Sequence, residues 1–465
     1  MTTIAAITQG QGQTAALALA GICLGQFVLA LDYSIVYLAL PSMAKGLALD
    51  TALSQWIVSA YGLMFAGCLL TGGRVCDGIG ASKAFAIAVC LFSAACLSEA
   101  AALTGPWLIA ARGGQGIAAA LLQPALLSLL ARYFPSGPAR AKALSIWGAV
   151  GASGLVAGVL LGGVLTLFSW RLVFFINVPI GMLCLWLLRR AVTQAAPLTH
   201  HARIPIISAL SGTLAIISIV MWLTRLAQAG LDDAQTHAWA GAAAGLSAVF
   251  FTLEALGPRP LVSRGLRCLP GLRTGCWTSA FYMAGVGSAF FLLTLLLQNE
   301  YGANTLSAGL LFLPMAAMII LGNIVAGKLI GVMSAERVLC GGFALGAAGL
   351  WLLALSATEG APGRLSADGA FNGLFWGGML AGGLGHGIIY TANFVAGLKS
   401  VPENKQGAGS GLMVTAQYAG GAVALALAVI LLGLYPGETG YFYAFILLAC
   451  FSLAGAAAAL LSAQE

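Results

Sequence analysis

Charged side chains are scarce in this sequence. Only 8% of the 465 residues are Asp, Glu, Lys or Arg, against about 25% in an ordinary soluble domain. That shortage excludes a water-facing globular surface. The ten cysteines are scattered, mostly inside apolar runs, and no CxxC occurs. They read as small packing residues rather than bridges or metal ligands. No clustered acids, His-rich metal spacing or nucleophile motif is visible. A membrane-embedded enzyme therefore has no support, and neither a cofactor nor a metal is expected. No soluble sensing domain stands out either, which argues against a receptor. No basic segment precedes the first apolar run. "MTTIAAITQGQGQTAALALAG" reads as a short polar tail entering a first span, not as a cleaved signal.

Apolar residues fill the chain instead. They make up 60% of it, and the mean hydropathy is +0.96. A helix crossing a ~30 Å hydrocarbon core needs ~20 apolar residues. Only helices and closed barrels satisfy the backbone there, and these runs are too long and continuous for barrel strands. The sequence predicts an all-α polytopic membrane protein with fourteen transmembrane helices. Six fall at 15–41, 52–73, 81–102, 106–134, 139–167 and 170–190. Two follow at 204–224 and 235–256. The last six fall at 268–299, 304–332, 336–356, 370–399, 404–433 and 438–462.

Basic residues set the orientation. With the N-terminus in the cytoplasm, sixteen of the 21 Lys and Arg fall on the inner side. They are Arg74, Lys83, Arg132, Arg140, Lys142, Arg189, Arg190, Arg203, Arg259, Arg264, Arg267, Arg273, Lys328, Arg337, Lys399 and Lys405. Lys45, Arg171, Arg225 and Arg364 fall outside, and Arg112 lies within a span. The outer loops hold Asp50, Asp232, Asp233, Glu300, Glu359, Asp368 and Glu438. Both termini are therefore expected in the cytoplasm. The net charge of +7 follows from this bias, and no nucleic-acid partner is needed to explain it. His200 and His201 fall in an inner loop beside Arg203, with no role expected beyond solvation.

An internal repeat divides the chain. "GRVCDGIGASK" at 73–83 follows the second span, and "GKLIGVMSAER" at 327–337 follows the tenth. Both begin Gly-basic-aliphatic, carry Ala ninth and end in a base. They lie 254 residues apart. Two adjoining six-helix halves would need only about 190. Two extra helices account for the surplus, and the 204–256 segment supplies them. The expected domains are a six-helix bundle at 1–190, a linker with the extra pair at 191–267, and a second bundle at 268–465. Parallel halves of this kind suggest a transporter that rocks about a central site.

The motifs then resemble those of one family. "LDYSIVYLALP", "GGRVCDGIGASK", "ARGGQGIAAALLQP", "ARAKALSIWGAVGASGLVAGVLLGG", "WRLVFFINVPIG" and "LLQNEYGANTLSAGLLFLP" occur in order from about residue 30 onward. Together they resemble the fourteen-span drug:proton antiporters of the major facilitator superfamily. Some positions depart from the pattern. Val159 follows Gly158 where the family has Pro, Gly78 and Ala81 stand where Arg is common, and Ala416 precedes Gln417 where an Arg is usual. The resemblance implies the two-bundle major facilitator fold with two interposed helices, in the bacterial cytoplasmic (inner) membrane. It also implies proton-coupled export of amphipathic drugs, antibiotics or natural products by alternating access, with the proton gradient as energy source. The expected partners are the small-molecule substrate, protons and membrane lipid, with the chain monomeric.

Asp32 carries the chemistry in this reading. A carboxylate at bilayer depth costs at least ~2.5–3.5 kcal/mol on insertion scales. If the first helix ends near Pro41, Asp32 lies ~14 Å below that end, and Arg112 lies ~9 Å down the fourth helix. The two can pair. Asp32 is then either the proton carrier, with Arg112 beside it, or half of a static ion pair. The 73–83 loop is the second candidate. Gly73 and Gly80 permit a tight turn, Asp77 can accept bonds from a helix N-terminus in the opposite half, and Arg74 and Lys83 would steady that contact. Such a contact would close an inner gate; the alternative is a charged turn that only fixes topology. In the fifth helix, Gly148, Gly151, Gly154, Gly158 and Gly162, with Gly163 beside them, form a small-residue stripe. It is expected either to slide against a second-half helix or simply to pack.

The candidate substrate cavity gathers polar and aromatic residues of the spans. They are Tyr33, Tyr37, Trp56, Gln115, Gln123, Phe281, Tyr282, Phe290, Gln298, Phe312, Tyr390, Asn393, Gln417 and Tyr418. His386 in "GGLGHGIIYT" is either a second proton site or a hydrogen-bonding residue. No acid is expected within the spans between 268 and 462, which favours a neutral, monocationic or weakly anionic aromatic substrate. A proton-coupled importer and an uncoupled facilitator of a small metabolite share the same fold and remain open.

Overall fold

The computed structural model describes residues 2–134, 137–192, 205–230, 232–257, 260–303, 305–358 and 373–462. His200, His201, Arg203, Arg259, Glu359, Arg364 and Asp368 lie outside them. Every regular element among the described residues is a helix. In chain order these are α1 (Thr2–Gly46), α2 (Thr51–Ile79), α3 (Ala81–Ala100), α4 (Gly105–Tyr133), α5 (Pro138–Phe168), α6 (Leu172–Phe175), α7 (Asn177–Val192), α8 (Ile206–Ala229) and α9 (Ala234–Leu256). Then come α10 (Arg264–Arg267), α11 (Pro270–Ala284), α12 (Ala289–Leu295), α13 (Thr305–Leu311), α14 (Leu313–Leu329), α15 (Ala335–Ser356), α16 (Gly373–Leu398), α17 (Gln406–Leu434) and α18 (Glu438–Ser462).

Thirteen helical stretches among the described residues are long and apolar enough to cross a bilayer. A fourteenth helix, α16, has 26 residues, ~39 Å at 1.5 Å per residue. It is rich in glycine and carries the polar residues His386 and Asn393.

The helix ends follow local chemistry. Asp50 caps α2 by accepting from the Leu53 amide at 2.7 Å, and Asp233 caps α9 by accepting from the Thr236 amide at 2.9 Å. Proline opens α4, α5 and α11, where its missing N–H leaves no bond unmade. Glu254, near the end of α9, is buried and accepts from the amides of Leu261 and Val262. Arg267 lies 3.3 Å from its carboxylate. This closes the turn behind the interposed helix pair.

Four expectations are corrected. The first helix does not stop at Pro41; α1 continues to Gly46 with the proline inside. A proline removes only one backbone donor, and the helix closes again beyond it. The stretch 170–190 is broken between α6 and α7, where Pro179 cannot donate to the carbonyl of Phe175. The stretch 268–299 is broken at Gly285, and its final turn, Leu296–Glu300, winds as a π-helix. The stretch 304–332 is broken at Phe312, two residues before Pro314.

The described chain divides into two compact units. The first is Met1–Thr213 with Val401–Leu412, and the second is Leu214–Ser400 with Met413–Glu465. In the first, α1 packs on α5 and α2 on α4. Thr71 of α2 bonds the Ala209 carbonyl of α8 at 3.3 Å. In the second, α15 packs on α16 and α18, and α14 on α16.

Candidate functional site

Five helices of the first unit converge on one buried polar centre. Asp32 of α1 is fully buried and lies 2.9 Å from the Arg112 guanidinium of α4. Its other carboxylate oxygen accepts from Gln115 Nε2 at 2.9 Å and Asn177 Nδ2 at 3.0 Å. Arg112 also donates to the Ile57 carbonyl of α2 at 3.1 Å and to Gln115 Oε1. Its guanidinium sits over the Tyr61 ring, 4.5 Å from the centroid. Gln115 reaches Cys96 Sγ of α3 at 3.0 Å. The spacing explains the convergence. Arg112 and Gln115 are three residues apart on one helix face, as are Cys96 and Glu99.

Glu99 completes the centre. It is fully buried, and neither carboxylate oxygen accepts a hydrogen bond. One oxygen each of Asp32 and Glu99 and the Cys96 sulfur lie within 4.8 Å of one another. A metal does not fit there. The Arg112 guanidinium already provides the positive charge, and Asp32 already accepts three donors.

The expected Asp32–Arg112 pair is therefore present. Gln115 is corrected: it does not line a cavity but is fully buried in this network. Sequence reasoning missed Glu99 and Asn177. Glu99 carried the same signal as Asp32, an acid within an apolar run, "CLSEAAAL".

The second candidate is the end of α2. Asp77 accepts from the Gly407 amide at 2.8 Å and the Ala408 amide at 2.9 Å, at the first turn of α17. These α17 residues cluster with the first unit. Arg140 of α5 donates to the Gln406 side chain at 2.9 Å, and Gln406 Nε2 donates to the Val401 carbonyl. Neither Arg140 nor Gln406 had been singled out from sequence. Two details are corrected. Residue 73 is not in a turn but inside α2, where an added Cβ would collide with the Gly407 carbonyl oxygen. Gly80 alone forms the turn between α2 and α3, at φ +88. Arg74 is half-buried and Lys83 exposed.

The glycine stripe faces helix one. Added Cβ atoms would meet Gln26 at Gly151, the Phe27 carbonyl at Gly154, Ser34 at Gly158 and the Ile35 carbonyl at Gly162. The expectation of a second-half partner is corrected, because α5 buries this face on α1. Ser34 Oγ bonds the Leu155 carbonyl at 2.9 Å across the seam. Gly163 is half-buried, one position off the stripe.

The cavity candidates separate by unit. On the first, Tyr33 and Tyr37 are exposed and meet edge to face. Trp56 is also exposed, whereas Gln123 is buried. On the second, Tyr282 donates to or accepts from His386 Nε2 at 2.5 Å. Phe290 lies against both Phe312 and His386, and Tyr390 packs on Tyr282. Phe281 stacks on Trp277. Gln298 and Tyr418 are half-buried, and Gln417 is buried near Met283. Asn393 is corrected: it is buried and satisfied by Thr278 at 2.6 Å and Ser279 at 2.7 Å, so it ties helices together.

A family model for the Major Facilitator Superfamily matches residues 22–425 and 278–464. The cephamycin export protein CmcT of Amycolatopsis lactamdurans is 34% identical over 95% of this chain and 91% of that protein. The lincomycin resistance protein of Streptomyces lincolnensis is 30% identical over 87% of this chain and 82% of that one. The solved structure of a proton:xylose symporter bound to 6-bromo-6-deoxy-D-glucose superposes with a TM-score of 0.67 at 15% identity, covering 96% of this chain and 95% of that one.

Proposed function

Because the chain belongs to the Major Facilitator Superfamily, we propose that it is a proton-coupled antiporter exporting amphipathic antibiotics or natural products by alternating access. It is a transporter and not an enzyme. The observation that carries the coupling is the buried centre around Asp32 and Arg112. Ionisable groups inside a membrane span are expensive and mark ion pathways. The export direction draws on relatives named for antibiotic export and resistance. The Asp77 cap on the start of α17 serves as an inner gate, made in one state and broken in the other. The aromatic group around Tyr282, Phe290, Phe312 and Tyr390, with His386 between them, suits the planar part of a substrate. No cofactor is required beyond the proton gradient. The site works within one monomer, in a cytoplasmic membrane with both termini inside.

Everted membrane vesicles test this reading with cephamycin, lincomycin and ethidium as probes. Energised uptake of at least one probe, abolished by a proton uncoupler, is the expected result. Asp32→Asn should remove the gradient-driven part while leaving expression intact. The three donors on Asp32 favour one competing reading, an uncoupled facilitator with a static ion pair. Transport that ignores the uncoupler would decide for it.

A further inference from the structure

Two carboxyl groups share one guanidinium in the buried centre, and their surroundings differ. Asp32 accepts three hydrogen bonds, from Arg112, Gln115 and Asn177. Both of its oxygens are thereby satisfied, one of them by a charged donor. Glu99 accepts none, on either oxygen, and is fully buried. A buried charge without donors is costly, whereas a neutral carboxyl is far less so. Two ionised carboxylates within 4.8 Å would also repel, with the single guanidinium of Arg112 beside them among the described residues. The charged and titratable groups facing Glu99 are Asp32 of α1, Arg112 of α4 and Cys96 of its own helix. Tyr61 of α2 lies behind Arg112. α7 contributes Asn177, which is not ionisable, and α6 has no ionisable side chain.

We propose that Glu99 is the carboxyl that carries the exchanged proton, with Asp32 kept as the hydrogen-bonded partner of Arg112. This rests on the proton-coupled reading above. Discharge breaks the O–H bond of Glu99. The proton passes to water, and the electron pair stays on the carboxylate. The centre then holds one more negative charge. Arg112 is drawn from Asp32 toward Glu99, and its contacts with Ile57 and Tyr61 transmit that shift to α2. The last turn of the same helix carries Asp77, the cap of α17. Reprotonation from water on the opposite side restores the resting arrangement, so one proton crosses per cycle. Glu99 sits in the last turn of α3, where Arg171 of the α5–α6 connection holds the Ala100 and Ala102 carbonyls at 2.6 and 2.7 Å. That end faces the outer side in the orientation drawn from the basic residues, as proton entry requires.

The test uses the full chain in proteoliposomes and two readouts. Infrared spectroscopy at neutral pH should show a protonated-carboxyl stretch that Glu99→Gln removes and Glu99→Asp retains at a shifted position. A missing band in the unsubstituted protein, or a band unchanged in Glu99→Gln, overturns the proposal. In transport, Glu99→Gln should still exchange labelled lincomycin, cephamycin or ethidium at equilibrium. It should lose at least tenfold in accumulation driven by an imposed pH gradient. Undiminished accumulation overturns the role of Glu99 alone, as does loss of exchange together with accumulation. If the unsubstituted protein accumulates no probe on a pH gradient, the antiport reading itself falls, and the exchange role with it.

Discussion

Arg112 gathers contacts from three helices through one planar group. Its guanidinium bonds Asp32 of α1, Ile57 of α2 and Gln115 of its own helix, and it covers the Tyr61 ring. Truncation would leave a buried carboxylate without a counter-charge, which costs about 3–5 kcal/mol. Arg112→Ala should therefore lower the melting temperature of purified protein far more than Asp32→Asn, which leaves a neutral side chain behind. Equal effects would mean that the guanidinium is not the keystone of the centre. Arg112→Lys should recover only part of the loss, because an ammonium cannot span three acceptors held in a fork.

Helix ends and helix seams decide the next scale. Asp77 satisfies two orphan amides of α17 with a charged acceptor. Asp77→Ala should cost about 1–3 kcal/mol locally, read as faster hydrogen exchange at Gly407 and Ala408 with the α15–α16 amides unchanged. At the α1–α5 seam, a Cβ at Gly158 would collide with Ser34 Oγ and fall 2.6 Å from the Leu31 carbonyl oxygen. Gly158→Ala should destabilise by about 1–3 kcal/mol through overpacking. At Gly114, inside α4, nothing lies within 4 Å, so Gly114→Ala should be neutral or stabilise by up to about 1 kcal/mol. Asp233, outside the spans, has its carboxyl held below the usual range, chiefly by the Thr236 amide. A depressed carboxyl stabilises above its unfolded value and loses that effect as pH falls through its folded value. The start of α9 should therefore fray in acid, and Asp233→Asn should remove the pH dependence in exchange measurements.

Across the whole molecule, the bias of basic residues predicts which side faces the cytoplasm. Cys268 is exposed, between Arg267 and Arg273, just before α11. A membrane-impermeant maleimide should label it in everted vesicles but not in intact cells. Labelling from outside would invert the topology. Exposed Cys90 lies inside α3 and Cys450 inside α18. Both should resist that reagent from either side, since lipid covers such positions.

Hydropathy is a local property summed along the chain. It was enough for the membrane class and for thirteen of the helices, and helix rise was enough to suggest that Asp32 could meet Arg112. The motif around Asp77 likewise sits in contiguous residues, and its acceptor role was legible. Which faces meet is not local. Glu99 and Asn177 join Asp32 only because α1, α3, α4 and α7 turn particular faces to one another. The glycine stripe reads the same against any partner, so only packing could assign it to α1. Gln115 and Asn393 look like cavity residues until their bonds are seen. Sequence specified the helices and their chemistry; tertiary structure chose their neighbours, because a side chain's role in lipid is set by whichever polar group it finds across the interface.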